Sequence, residues 1–110
     1  MHGTITREEL KNKLDAGENI KLINVLDRSS FDAVHIPGSI NIPLEELSER
    51  AEHELGKDEE IIVYCSSSTC QASPAAAEKL DKMGYTMVYH FKGGIAGWKE
   101  AGYPLEGEAV

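Results

Sequence analysis

Two cysteines, Cys65 and Cys70, lie close together in the segment Cys65-Ser66-Ser67-Ser68-Thr69-Cys70-Gln71-Ala72-Ser73, and they are the only two in the chain. A disulfide framework for a small secreted domain would spread its cysteines along the sequence, whereas a bridge across so short a loop stabilises little. The pair therefore reads as chemical rather than structural. Cys65 follows Ile61-Ile62-Val63-Tyr64, a buried strand by its apolar, β-branched composition, and it precedes small polar residues and a helix start at Ser73-Pro74. A thiolate is the nucleophilic form of cysteine, and a helix N-terminus favours it. Ser66, Ser67, Ser68, Thr69, Cys70, Gln71 and Ala72 carry no bulky side chain, so their backbone N–H groups can curl around an anion. That anion would be the thiolate, a persulfide or an approaching oxyanion. The plainer reading is a strand-end cysteine acting as a small hydrophobe. The order strand, cysteine, small loop and capped helix favours the reactive one.

Cys70 keeps two readings: a second redox thiol that resolves or protects Cys65, and a small residue packed under the loop. Two cysteines supply half of a zinc site and no histidine pair completes it, so no metal is expected. His35 reads as a turn residue, while His2, His53 and His90 lie at the terminus, a helix end and a strand end with no evident partner. Lys92, before Gly93-Gly94, is the remaining candidate for a basic group near the pocket. Asp27 and Arg28 read as a solvated pair at a helix start, and Phe31 and Trp98 as core.

These residues need a scaffold of alternating strands and helices. Thr6-Arg7-Glu8-Glu9 forms a capping box for a first helix, with Leu10 and Leu14 on one face and Gly17 as the stop. Ile20 to Leu26 reads as a buried strand, Ser29 to Val34 as a short helix, His35 to Gly38 as a turn and Ile40 to Ile42 as a strand. Pro43 opens a helix to about Glu54. After the Cys65 strand, a helix runs from Ser73-Pro74 through Leu80 to Gly84, then comes a strand at Met87 to His90 and a helix at Ile95 to Ala101. Strands separated by helices imply a parallel sheet covered on both faces. Ligands of such sheets sit beyond the carboxyl ends of the strands, where Cys65 falls.

Bulk properties narrow the function further. The chain has 110 residues, 41% of them hydrophobic and 27% charged, an ordinary globular composition sized for one domain, residues 1–110. Its 19 acidic and 11 basic residues give a net charge of −8, which argues against nucleic-acid and anionic-membrane partners. No apolar run marks a signal or membrane span, so the cytoplasm is the default location.

The segments also occur in the order found in the single-domain rhodanese-like sulfurtransferase family, which this chain resembles from roughly Thr4 to Leu105. Ile23-Asn24-Val25-Leu26-Asp27 with Ser29-Ser30-Phe31 resembles that family's early strand and helix. His35-Ile36-Pro37-Gly38-Ser39-Ile40-Asn41-Ile42-Pro43 is similar to its HIPGA-N-P segment, and Val63-Tyr64-Cys65 to its nucleophile strand. Gly84-Tyr85 and Gly93-Gly94-Ile95-Ala96-Gly97-Trp98 resemble its closing signatures. The resemblance implies an α/β fold, a five-stranded parallel sheet flanked by helices on both faces. It implies a sulfurtransferase or persulfide carrier in which Cys65 takes a sulfane sulfur from thiosulfate, polysulfide or a persulfide. The sulfur then passes to a thiol or cyanide, or to a thiol-bearing partner protein, without a cofactor. This chain departs from the pattern in two places. Asn24-Val25-Leu26 stands where Asp-Val-Arg is common, and the loop from Ser66 to Ala72 has no basic residue. Charge-assisted contacts are the stronger ones, so a donor less charged than thiosulfate is favoured. Gln71 and Ala72 stand where a phosphatase or arsenate reductase loop would place its arginine, which argues against phosphoryl transfer. A rhodanese-like redox-sensing or binding module that switches through Cys65 and Cys70 is the alternative.

Overall fold

Parallel strands need long crossovers, and helices supply them. The computed structural model describes residues 2–110. Its strands are β1 (Gly3–Thr4), β2 (Ile20–Asn24), β3 (Ile40–Asn41), β4 (Glu60–Tyr64) and β5 (Met87–Phe91). They form one sheet in the order β1-β5-β4-β2-β3, with every pairing parallel. The helices are α1 (Arg7–Asp15), α2 (Arg28–Ala33), α3 (Leu47–Glu54), α4 (Ala72–Lys82) and α5 (Gly94–Glu100). This is the five-stranded parallel α/β architecture expected.

Register places the site. Asn24 lies opposite Tyr64 and Tyr64 opposite Phe91, so β2, β4 and β5 end level with one another. The chain leaves β2 for β3 on one side and leaves β4 for β5 on the other, so the loops part at this edge and open a crevice. The strand period of two then sorts β4 between two cores. Ile61, Val63 and Cys65 pack with Leu47 and Ala51 of α3 and Ala76, Ala77 and Leu80 of α4. Ile62 and Tyr64 pack with Leu10 of α1 and Trp98 of α5. Each large apolar side chain so buried contributes about 1.5–3 kcal/mol relative to exposure. Among the described residues, no helix is long and apolar enough to cross a membrane.

Local signals explain most boundaries. The Thr6 hydroxyl accepts from the Glu9 amide at 3.1 Å, and the Glu9 carboxylate accepts from the Thr6 amide at 2.9 Å. Hydrogen bonds to the Glu9 carboxyl from the Thr6 backbone first, and from its side chain second, hold it below its usual range. Asp27 caps α2 by accepting from the Ser30 amide at 2.8 Å, while Arg28 pairs with Asp32, a helix-start role for both.

Three boundaries differ from expectation. Pro43 does not open a continuous α-helix; a 3₁₀ turn at Leu44–Glu46 precedes α3. β1 was not legible, because two exposed residues show no period, and its pairing with Tyr89 and His90 of β5 defines it. Ser73 is not the cap of α4. The helix begins at Ala72 after an uncapped Gln71, which puts Ser73 inside the first turn and frees its hydroxyl for another partner.

Candidate active site at Cys65

β4 delivers Cys65 to the level edge of the sheet, where it is only 1% exposed. The loop that follows is held from below by α5. The amides of Ile95 and Ala96 donate to the carbonyls of Cys65 and Ser66 at 3.0 and 2.9 Å. So close an approach requires Gly94: its φ is +60°, and a Cβ there would lie 2.6 Å from the Cys65 carbonyl oxygen.

Within the loop, the Cys70 amide donates to the Ser67 carbonyl at 3.1 Å, and the Ser67 and Thr69 hydroxyls lie 3.0 Å apart. Among the described residues, no hydrogen bond claims the amides of Ser66, Ser67, Ser68 or Thr69. Ser66, Ser68, Thr69 and Gln71 are exposed, and Ala72 already belongs to α4. The turn brings the two cysteines together as a Cys65–Cys70 disulfide with Cα atoms 6.5 Å apart, inside the usual range for a bridge. Cys70 is therefore a partner of Cys65. The pair is asymmetric, because Cys65 is buried and Cys70 half-buried.

Two residues that the sequence reading did not connect to Cys65 complete the site. Ser73 Oγ lies 3.2 Å from Cys65 Sγ and 2.7 Å from His90 Nε2. Ser73 is 1% exposed and His90 8%, so this chain of polar atoms is shielded from water. Burial first, and then the positive charges of His2 and Lys92, push the His90 imidazole below its usual pKa and favour its neutral form. His90 had been assigned no partner, yet a signal was present. It lies two residues after Val88, which faces the α3/α4 core, so the strand period turns His90 toward the face that holds Cys65.

The remaining candidates sort clearly. His35 Nδ1 lies 2.7 Å from the Phe31 carbonyl and its Nε2 3.1 Å from Glu106, which makes it a local tie, as its turn position implied. Asn24 works structurally: its side-chain oxygen accepts from the Leu26 amide at 3.0 Å, while Asn41 Nδ2 donates to the carbonyls of Asn24 and Leu26 at 3.1 and 2.8 Å. A cleft of about 580 Å³ beside Ser68 brings Lys92 and Arg7 to its wall. Arg7 is committed there to Glu8, Glu100 and the Gly97 carbonyl, whereas Lys92 is exposed. On the other flank, a cleft of about 440 Å³ beside Ser66 is lined mainly by apolar groups, including Leu26, Val34 and Ile95.

A family model described as Rhodanese-like domain matches residues 6–101. The chain belongs to the rhodanese-like domain family. The rhodanese-like domain of the Anabaena protein Alr3790 superposes on it with a TM-score of 0.89 at 34% identity, over 99% of this chain and 82% of that one. The HTH-type transcriptional regulator Rv0324 of Mycobacterium tuberculosis is 37% identical over 93% of this chain and 44% of its own length. The thiosulfate sulfurtransferase GlpE of Tolumonas auensis is 29% identical over 78% of this chain and 77% of its own length. The chain spans about half the length of the first curated relatives it matches. Segments similar to this chain thus occur in relatives named for sulfur transfer and for transcriptional regulation.

Proposed function

We propose that this rhodanese-like chain moves sulfane sulfur through Cys65, as one domain spanning residues 1–110. The observation that carries the reading is the position of Cys65: it ends the central strand beneath a loop with unclaimed amides, at the N-terminal end of α4. In the reduced protein the Cys65 thiolate attacks the outer sulfur of a polysulfide or persulfide. One S–S bond forms, the donor's S–S bond breaks, and the donor leaves as a thiolate or shorter polysulfide. The amides of Ser66, Ser67, Ser68 and Thr69 hold the anionic persulfide. An external thiol or cyanide then takes the terminal sulfur and restores Cys65. The loop has no cation, which favours polysulfides and persulfides over thiosulfate as donors.

Cys70 supports a second exit. Its thiolate attacks Cys65 Sγ of the persulfide, the S–S bond to the terminal sulfur breaks, and hydrosulfide leaves. The product is the Cys65–Cys70 disulfide, which a thiol must reduce before the next cycle. The rival reading is a redox-sensing module that uses the same disulfide as its signal, in keeping with the likeness to a transcriptional regulator. Operation on free thiols suits a reducing compartment, so the cytoplasm remains the proposed location.

Mass spectrometry of the reduced protein after incubation with polysulfide, and separately with thiosulfate, separates the two. A Cys65-dependent adduct of one sulfur atom, lost in Cys65→Ser and discharged rapidly by a thiol or cyanide, is the expected result. Absence of an adduct from both donors, with the disulfide forming readily, sinks sulfur transfer and leaves the sensor.

A further inference from the structure

We infer that Ser73 and His90 form a proton relay to Cys65, in which Ser73 touches the reacting sulfur and His90 is a positioning residue that holds the proton when Cys65 is a thiolate. The inference rests on Cys65 being the reactive group proposed above.

Hydrogens decide which way each bond runs. Ser73 has one hydroxyl hydrogen and two neighbours, Cys65 Sγ at 3.2 Å and His90 Nε2 at 2.7 Å. When Cys65 is a thiol, its S–H donates to Ser73 Oγ, and the Ser73 hydroxyl donates to a bare His90 Nε2. When Cys65 is a thiolate, the Ser73 hydroxyl donates to the sulfur, and His90 Nε2–H donates to Ser73 Oγ. Conversion between the two moves one proton from sulfur to Oγ and another from Oγ to Nε2. Only hydrogens are exchanged, and no electron is gained or lost: Cys65–SH and imidazole become Cys65–S⁻ and imidazolium.

The surroundings suit this exchange. All three side chains are buried, so water is excluded as the proton partner and a lone thiolate would be costly. The titratable groups that act on His90 through charge are His2, before β1, and Lys92, after β5. β4 brings Val63 alongside, and α4 brings the Ser73 hydroxyl; its charged Glu78, Lys79 and Lys82 line a separate cleft. The Lys92 charge opposes an isolated imidazolium and favours a thiolate beside it. His90 thus takes the proton only as Cys65 becomes negative and surrenders it when that charge goes. The relay also gives direction to disulfide reduction. An external thiolate attacks half-buried Cys70, the S–S bond breaks, and Cys65 leaves as a thiolate toward the waiting Ser73 hydroxyl.

The test uses the full chain with Cys70→Ala, so that only Cys65 reacts, and measures the rate of iodoacetamide alkylation from pH 6 to 10. His90→Gln keeps a hydrogen-bonding group near Ser73 but cannot titrate; Ser73→Ala removes the bridge, and Ser73→Thr restores a hydroxyl. At about pH 7, alkylation falls about tenfold in His90→Gln and Ser73→Ala, recovers in Ser73→Thr, and converges with the parent near pH 10. In the unmutated chain, ¹⁵N spectra show the His90 ring gaining a proton as the disulfide is reduced at neutral pH. A parental alkylation profile in His90→Gln, or a ring that stays neutral throughout reduction, overturns the relay. Alkylation requires no sulfur donor, so this outcome is independent of whether sulfur transfer itself is found.

Discussion

Tyr64 and Cys65 are neighbours on and just beyond β4, and they enter opposite faces of the sheet. On the α1/α5 face the Tyr64 hydroxyl accepts from the Ile36 amide at 3.0 Å and meets Ser39 Oγ at 2.8 Å. Ser39 spends its own hydrogen on the Ile36 carbonyl at 2.7 Å, so Tyr64 must donate to Ser39. The Tyr64 and Ser39 hydroxyl hydrogens each have one place. Burial also pushes the Tyr64 hydroxyl up, which keeps it protonated. On the α3/α4 face the Ser73 hydroxyl sits between two acceptors with one hydrogen to give. A buried network with one arrangement holds a turn in place, whereas one with two arrangements can pass a proton. The same depth of burial thus serves architecture on one face and chemistry on the other.

The largest expected effect is on the loop that both faces support. Gly94→Ala puts a Cβ against the Cys65 carbonyl in a left-handed conformation, and it should cost about 3 kcal/mol or more, read as a lower chemical-denaturation midpoint. Full stability in that variant would mean that the loop moves away freely. Next, Tyr64→Phe strands the Ile36 amide and should cost about 2 kcal/mol while leaving Cys65 alkylation unchanged. Ser73→Ala should invert that pattern, with a stability cost of about 1 kcal/mol and a clear fall in Cys65 reactivity near neutral pH. Equal stability losses with no change in reactivity would erase the contrast between the faces.

The smallest effect is a pH dependence. His90 is held below its ordinary pKa mainly by burial, so the unfolded chain binds a proton that the folded chain resists. Its contribution to stability is intact above about pH 6.5 and is lost as pH falls from there toward the lower folded value. Urea titrations of the disulfide-bonded protein between pH 7 and 5 should therefore show a steeper decline for the parent than for His90→Gln. Glu9 and Asp27, whose carboxyls are also lowered, act in a more acidic window and leave this comparison clean.

The elements that were legible are those whose signals are local. Ile61 to Tyr64 is continuous, apolar and rich in β-branched residues, so a buried parallel strand follows from composition. Thr6 and Glu9 announce a helix start within four residues, and the nearness of Cys65 to Cys70 makes a shared chemistry visible. β1 was invisible because its two residues gain their identity from β5. Ser73 was misread because a serine before a proline at a helix start resembles a cap whether its oxygen serves the backbone or a distant side chain.

Chain order and residue type were thus enough to specify alternating strands and helices, a cysteine at the end of the central strand and a loop free of bulk and charge. The pairing of Cys65 with Cys70, and the contact of Ser73 with His90, required the fold. Ser73 and His90 stand 17 residues apart in sequence, and only the parallel pairing of β4 with β5, under α4, brings them to 2.7 Å. Local chemistry is written in local spacing, whereas a proton path across three elements exists only once sheet register and helix packing have set the distances.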